Sequence, residues 1–224
     1  MDTDIPRRPD HVSREEARSE KERRKLFAGA LKAEAKASGW RHANGGIFRQ
    51  HGDWFVSVLP SPLWGRGVLA MSFAKPMAVD PMFWRIVGLP ENDKLPLSFR
   101  ANGAWVLRPP FSKALIALDE REPERLAREF VTWSTDGLAQ VATYSVETLL
   151  AKLEGLGPRR KSFVALEICL HLLRNDFASA QGICRDLPPN ETGGFMTGSK
   201  TFIDQAKDWF ADGRRTQVRL VQPQ

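Results

Sequence analysis

The sequence predicts an α+β protein with an N-terminal helix, a mostly antiparallel mixed sheet packed by helices, and an all-helical C-terminal part. Helical periodicity opens the chain, short runs of strand character follow between residues 40 and 107, and helical periodicity returns after Pro109 and Pro110. The 224 residues are 42% hydrophobic and 27% charged, so the chain can bury a core without disulfide support.

The first helix is predicted to begin at Ser13 and to end at Gly39. Ser13 followed three residues later by Glu16 has the form of a capping box, and glycine is a common residue just after a helix. The first turns are almost entirely charged, and the apolar face begins at Leu26. Residues 1–11 contain two prolines and are predicted to be a flexible tail.

Short apolar runs separated by turn residues predict the strands of the sheet. A helix beginning at Asp80 and Pro81 is predicted among them, because proline suits the first helical turn. Asn102-Gly103 is predicted to join the last two strands, since this dipeptide favours a tight hairpin turn. The predicted strands are residues 47–50, 54–59, 68–73, 97–100 and 104–107.

The C-terminal half is predicted to be helical, with a boundary at Gly157-Pro158. This boundary divides the chain into an α+β domain over residues 12–156 and a helical subdomain over 158–224. Residues 188–198 are rich in proline and glycine and are predicted to form a loop, after which Ser199 is predicted to cap the last helix. The other predicted helices begin near Pro123, at Ser145, near Phe163 and at Phe177.

The net charge of +6 is unevenly distributed along the chain. Residues 39–115 carry nine basic and four acidic side chains, whereas residues 116–212 carry eleven basic and fifteen acidic ones. The N-terminal residues lack the apolar core of a secretory signal, and no apolar run approaches the length of a membrane span. The sequence therefore predicts a cytoplasmic protein without a membrane partner.

Two patterns resemble ligand-binding motifs, and each fails on its spacing. In the stretch 193–201, Lys200 stands one place too late for a phosphate-binding loop, and no strand precedes it. Cys169 and His171 are two residues apart on a predicted helix, so they point about 200° apart and cannot share a metal with Cys184. We therefore predict two reduced core thiols, no metal site and no cofactor.

The remaining histidines of interest flank the first strands. His42, His51 and Asp53 could supply a general base held by a carboxylate, but His51 and Asp53 fall on a tight turn where side chains are solvated. No nucleophile elbow is present in the sequence. No catalytic residue is predicted.

Candidate binding residues come from the basic segment 39–115, where five of the seven tryptophans also lie. Trp64 stands in a loop rich in proline and glycine, and we expect it to be exposed. Aromatic side chains among arginines could contact a partner protein or stack on nucleic-acid bases. The arginines concerned are Arg49, Arg66, Arg85, Arg100 and Arg108.

Several short motifs resemble the bacterial family named domain of unknown function 4304, over about residues 20–155. Gly39-Trp40 matches the end of that family's first helix, and Phe48-Arg49 matches its aromatic-arginine strand. Residues 56–61 match a later strand, with Leu59 where the family prefers glutamine, and residues 145–153 match its leucine-rich helix. The resemblance implies an α+β fold, brings no catalytic residue, and leaves residues 158–224 uncovered.

The leading functional hypothesis is a non-enzymatic binding or adaptor module for another protein, in a toxin–immunity or stress setting. It depends on the lack of any reactive constellation in the sequence. One alternative is a nucleic-acid-binding protein that uses the basic 39–115 face. A second alternative is a small hydrolase using His42 or His51 beside a carboxylate. The oligomeric state is left open.

Overall fold

The computed structural model describes residues 12–63, 67–116, 122–188 and 191–212, which form two compact units. Unit 1 comprises the described residues of Met1–His51, Val56–Phe73 and Pro110–Ala142. Unit 2 comprises those of Gly52–Phe55, Ala74–Pro109 and Thr143–Gln224, so the boundary predicted at 157–158 falls inside it. The predicted tail, residues 1–11, lies outside the described residues.

The predicted α+β class is confirmed by these elements. The helices are α1 (Arg14–Ala37), α2 (Val79–Ile86), α3 (Leu97–Arg100), α4 (Pro123–Ala142), α5 (Val146–Glu154), α6 (Val164–Leu173), α7 (Phe177–Asp186) and α8 (Phe202–Ala211). The strands are β1 (Arg41–Ala43), β2 (Gly46–His51), β3 (Trp54–Leu63), β4 (Gly67–Pro76), β5 (Pro110–Ile116), β6 (Met196–Thr197) and β7 (Lys200–Thr201).

The helices of unit 1 pack through aromatic residues. The hydroxyl of Ser13 accepts a hydrogen bond from the Glu16 N–H, and the Glu16 carboxylate accepts one in return, so the predicted capping box is confirmed. Further along α1, Phe27 meets Phe130 of α4 edge-on at 6.3 Å between ring centres. The contact between the two rings packs α1 against α4.

The main sheet has the strand order β1-β2-β3-β4-β5. The β1–β2 and β4–β5 pairs are antiparallel, with Arg41 opposite Phe48 and Met71 opposite Lys113. The prediction that the chain becomes helical directly after Pro109-Pro110 is wrong, because β5 begins at Pro110 and pairs with β4. A proline at the first position of an outer strand leaves the ladder intact, so the Pro-Pro pair starts a strand here.

The two strands predicted at 97–100 and 104–107 are also wrong. Residues Leu97–Arg100 form α3, and Trp105–Leu107 form a 3₁₀ turn. A tight Asn-Gly hairpin turn needs positive φ at both residues, and neither Asn102 nor Gly103 has it. Instead the N–H groups of both residues donate hydrogen bonds to the carbonyl oxygen of Phe99, which extends the helical turn.

The core of unit 2 contains α2, α6, α7 and α8. Phe83 of α2 stacks on Phe202 of α8, with ring centres 5.3 Å apart. The last helix begins at Phe202 and is capped by Thr201, whose hydroxyl accepts a hydrogen bond from the Asp204 N–H, so the cap predicted at Ser199 is wrong. Gly198 instead turns the short β6–β7 hairpin, at φ +60°.

The described residues include no helix both long and apolar enough to cross a membrane.

Candidate functional site

Two of the sequence-predicted binding residues, Trp64 and Arg66, lie outside the described residues. The residues on either side, Leu63 and Gly67, line a cavity of about 40 Å³ in unit 1. Glu20 also lines it, with its carboxylate 2.7 Å from Nε of Arg24. A cavity of this volume holds a water molecule or two and no larger ligand.

Arg49 and Arg85, the next two predicted residues, belong to different units. In unit 1 the guanidinium carbon of Arg49 lies 5.6 Å from the centre of the buried Trp40 ring, a cation–π distance. Arg85 is exposed on α2 in unit 2. The structure therefore gives these two arginines different environments, one against a tryptophan and one in solvent.

The last two, Arg100 and Arg108, come together in unit 2 around the carboxylate of Asp80. Lys75 Nζ lies 2.5 Å from Asp80 Oδ1, and Arg100 Nη1 lies 3.2 Å from Asp80 Oδ2. Arg100 also reaches Asp93 Oδ1 at 3.4 Å. Arg108 lies close enough for the charge of Asp80 to act on it. We call these four residues, Lys75, Asp80, Arg100 and Arg108, the Asp80 cluster.

The Asp80 cluster is enclosed, which alters the chemistry of its members. The side chains of Lys75 and Asp80 are 1% and 2% exposed. Burial lowers the pKa of Lys75 below its ordinary value, against the attraction of Asp80, and burial likewise lowers the pKa of Arg108. The adjacent Cys169 thiol has its pKa raised by burial and by Asp80. These groups are tied to one another and have little access to a ligand.

A concave site lies in unit 2, along one face of α6. Val164, Glu167 and His171 are spaced i, i+3 and i+7, so they share this face. The 3₁₀ turn before the helix adds Arg160 and Lys161. The site is a cleft of about 600 Å³, larger than the 210 Å³ cavity that Glu34 and its neighbours form in unit 1.

The opposite wall of the cleft is a face of α7. Ser179, Gly182, Ile183 and Asp186 follow at i, i+3, i+4 and i+7, and Leu187 ends the wall. Because both walls extend from residue i to residue i+7, with a rise of about 1.5 Å per residue, the cleft is about 10 Å long, or two helical turns. We call it the α6–α7 groove.

Three of the four charged residues that line the groove, all but Lys161, are in ion pairs within the described part of the chain. The carboxylate of Glu167, only 4% exposed, accepts two hydrogen bonds from Arg160, which is 43% exposed. These bonds raise the pKa of Arg160 above its ordinary value. Asp186 is paired with Arg185, with Nε and Oδ1 2.9 Å apart.

At the other end of the groove, Nδ1 of His171 lies 3.0 Å from Oδ2 of Asp176. Asp176 is the N-cap of α7 and accepts the Ser179 N–H at Oδ1. Hydrogen bonds from Ser179, and then the one from His171, lower the pKa of Asp176 below its ordinary value. A histidine oriented by a carboxylate can serve as a general base or as a hydrogen-bonding anchor.

Cys169 and His171 point in different directions from α6, as their spacing in the sequence predicted. Cys169 is fully buried, whereas His171 faces the groove, and Cys184 is a second buried free thiol. Burial raises the pKa of the Cys184 thiol to about 11. No set of three metal-binding side chains forms within the described ranges.

The two histidines considered for catalysis, His42 and His51, line none of these three cavities. His42 is partly buried, and burial and the charge of Lys32 lower its pKa below 6.5. His51 is the last residue of β2, and Asp53, two residues later in the sequence, is exposed.

The groove was not predicted from the sequence, although two residues of α6 gave a partial indication of it. Glu167 and His171 interrupt an otherwise apolar helix at a spacing of i and i+4, which places two ionisable groups on one helical face. Buried acids are normally paired, so Glu167 alone indicated an undetected basic partner. That partner is Arg160, which lies in a 3₁₀ turn where the α-helical period gives no guide.

Comparisons with family models, curated proteins and solved structures found no match to this chain.

Proposed function

We propose that this protein is a non-enzymatic binding module, and that its α6–α7 groove accepts a segment of another protein. The groove itself carries the proposal: a cleft of about 600 Å³ whose two walls are helical faces of matched length. Recognition of a helical or extended segment by a groove between two helices is a recurrent mode of protein binding.

The floor of the groove is apolar. Val164 is buried at the foot of α6, and Ile183 and Leu187 are half-buried along α7. Ile183 and Leu187 would gain burial from an apolar stripe on a partner, at about 25 cal/mol for each Å² removed from water. Because each wall of the groove is about two helical turns long, an elongated occupant fits the groove better than a compact one.

The polar groups around this floor are not directed at a common position that a small ligand could occupy. Arg160 is hydrogen-bonded to Glu167. Asp176 caps α7 and is hydrogen-bonded to His171. A site for a small metabolite normally presents several polar groups aimed at the ligand. A protein segment needs fewer such groups, since an apolar core with a polar rim is sufficient.

The test is a selection of peptides on the full-length chain, followed by binding to groove variants. A displayed library of random 16-residue peptides is enriched on wild type, and the selected peptides are labelled and titrated by fluorescence anisotropy. Gly182→Leu places a side chain in the groove, and Gly137→Leu places the same side chain at a helical glycine of α4 that also faces open space.

We expect Gly182→Leu to weaken binding by more than about tenfold, the scale of a blocked interface centre, and Gly137→Leu to leave it unchanged. Thermal melts of both variants establish that they fold. Equal binding to the two variants would exclude the groove as the binding site.

The His171–Asp176 pair favours one alternative, a hydrolase in which His171 Nε2 accepts the proton of an attacking water. Hydrolysis of p-nitrophenyl acetate by wild type and by His171→Ala separates this alternative from the binding module. A rate above buffer that His171→Ala abolishes would favour the hydrolase. Equal rates for the two proteins favour the binding module.

A further inference from the structure

The charge left over in the α6–α7 groove is positive and lies at one end. Arg160 is neutralised by Glu167, and Asp186 is neutralised by Arg185. Lys161 lines the groove beside Arg160, is exposed, and forms no ion pair with any other described residue. The end of the groove near the start of α6 therefore carries an ammonium group without a counter-ion among the described residues.

The middle of the groove is left wide by Gly182. A Cβ at this position would meet only Nη2 of Arg185, at 3.8 Å, so nothing in the fold requires the glycine. Glycine inside a helix costs about 1 kcal/mol relative to alanine. Its effect on the groove is to leave the space above the apolar floor open to the backbone or the side chain of an occupant.

On these two observations, and resting on the proposed function, we propose that the occupant is an acidic, two-turn helical segment of a partner protein. Its apolar side chains, at spacings of three and four residues, lie on Val164, Ile183 and Leu187. A carboxylate at one end of the segment pairs with Lys161. The 10 Å length of the groove matches two turns of helix.

The experiment asks whether the peptides selected on wild type are acidic and whether Lys161 recognises the acid. Each labelled peptide is titrated against full-length wild type, Lys161→Gln, Lys161→Glu and Lys113→Glu. The last variant changes the net charge as much as Lys161→Glu does, at an exposed lysine of β5 in unit 1. Titrations at two salt concentrations measure the electrostatic part of the binding.

We expect selected peptides to carry an excess of Asp and Glu, with apolar residues spaced i and i+3 or i+4. Lys161→Gln should weaken them by about two- to fivefold, the range of an exposed ion pair. Lys161→Glu should weaken them further, Lys113→Glu should not, and added salt should reduce the difference between wild type and Lys161→Gln.

The outcomes separate this inference from the function on which it rests. Peptides that are neutral or basic but still depend on an open position 182 would overturn the acidic occupant and leave the groove as a protein-binding site. Acidic peptides that bind Lys161→Glu and Lys113→Glu equally would also overturn it. Failure to select any peptide that distinguishes Gly182→Leu from Gly137→Leu would overturn both.

Discussion

Unit 2 holds two groups of charged side chains that are built in opposite ways. In the Asp80 cluster a single enclosed acid lies within the electrostatic reach of Lys75, Arg100 and Arg108, and Arg100 also pairs with Asp93. In the α6–α7 groove an enclosed acid, Glu167, has Arg160 as its partner, and that partner is half exposed. Removing one partner of a buried ion pair is costly when the charge that remains is enclosed and has no other partner. The two sites should therefore respond in opposite senses to loss of an acid and loss of a base.

The largest effect is expected for Asp80→Ala. It removes the carboxylate that pairs with the enclosed Lys75, which costs about 3–5 kcal/mol of unfolding free energy. Lys75→Met fills a similar volume and leaves Asp80 with Arg100, so its cost should be only about 1 kcal/mol. Urea unfolding followed by circular dichroism measures both. A Lys75→Met cost equal to that of Asp80→Ala would contradict this dependence of Lys75 on Asp80.

In the groove the order is reversed. Arg160→Met leaves the carboxylate of Glu167 enclosed without its partner, at a cost of about 1–3 kcal/mol. Glu167→Gln leaves a guanidinium that water can reach, at a cost below about 1 kcal/mol. The same urea experiment compares them. If Glu167→Gln proved the more damaging variant, Arg160 rather than Glu167 would be the dependent member of the pair.

A gain in stability is expected at the groove wall. Gly182→Ala removes the helical penalty of glycine and meets no clash, so it should raise the unfolding free energy by up to about 1 kcal/mol. Gly137→Ala in α4 serves as the matched control and should give a gain of the same size. A loss of stability at 182 alone would mean that the glycine has a structural role in α7.

The pH dependence of stability separates the two sites further. Lys75 has a folded pKa below its unfolded value of about 10.4. Between these two values the unfolded chain binds more protons at Lys75, so its contribution makes stability rise with pH across that window. Lys75→Met should remove this contribution, and Arg160→Met should keep it. Equal slopes for wild type and Lys75→Met, measured by urea unfolding from pH 7 to 10, would contradict the lowered pKa.

Local signals in the sequence predicted much of the fold. Ser13 with Glu16, and Gly39 at φ +73°, delimit α1 through groups close in sequence. The hairpin predicted at Asn102-Gly103 is wrong because that turn requires positive φ angles. Here both N–H groups donate instead to the carbonyl oxygen of Phe99, which continues the helical turn of α3. Strand β5 was missed because its evidence is the register with β4, about 40 residues earlier in the chain.

The candidate site was less predictable than the fold. The arginines of the basic segment suggested an outward face, yet Arg100 and Arg108 gather around Asp80. A sum of charges along the sequence does not distinguish a solvated cation from one matched to an internal acid. The groove depends on which faces of α6 and α7 are left uncovered by their neighbours, and helical periodicity does not contain that information.

The division into two units has a practical consequence for anyone who dissects this protein. The backbone passes from one unit to the other five times, at residues 51/52, 55/56, 73/74, 109/110 and 142/143. Strands β3 and β4 each supply residues to both. A fragment made of one contiguous part of the sequence would therefore lack part of the hydrophobic core of its unit. We expect truncated variants to be insoluble, whereas a protein whose domains are each contiguous in sequence would yield folded fragments.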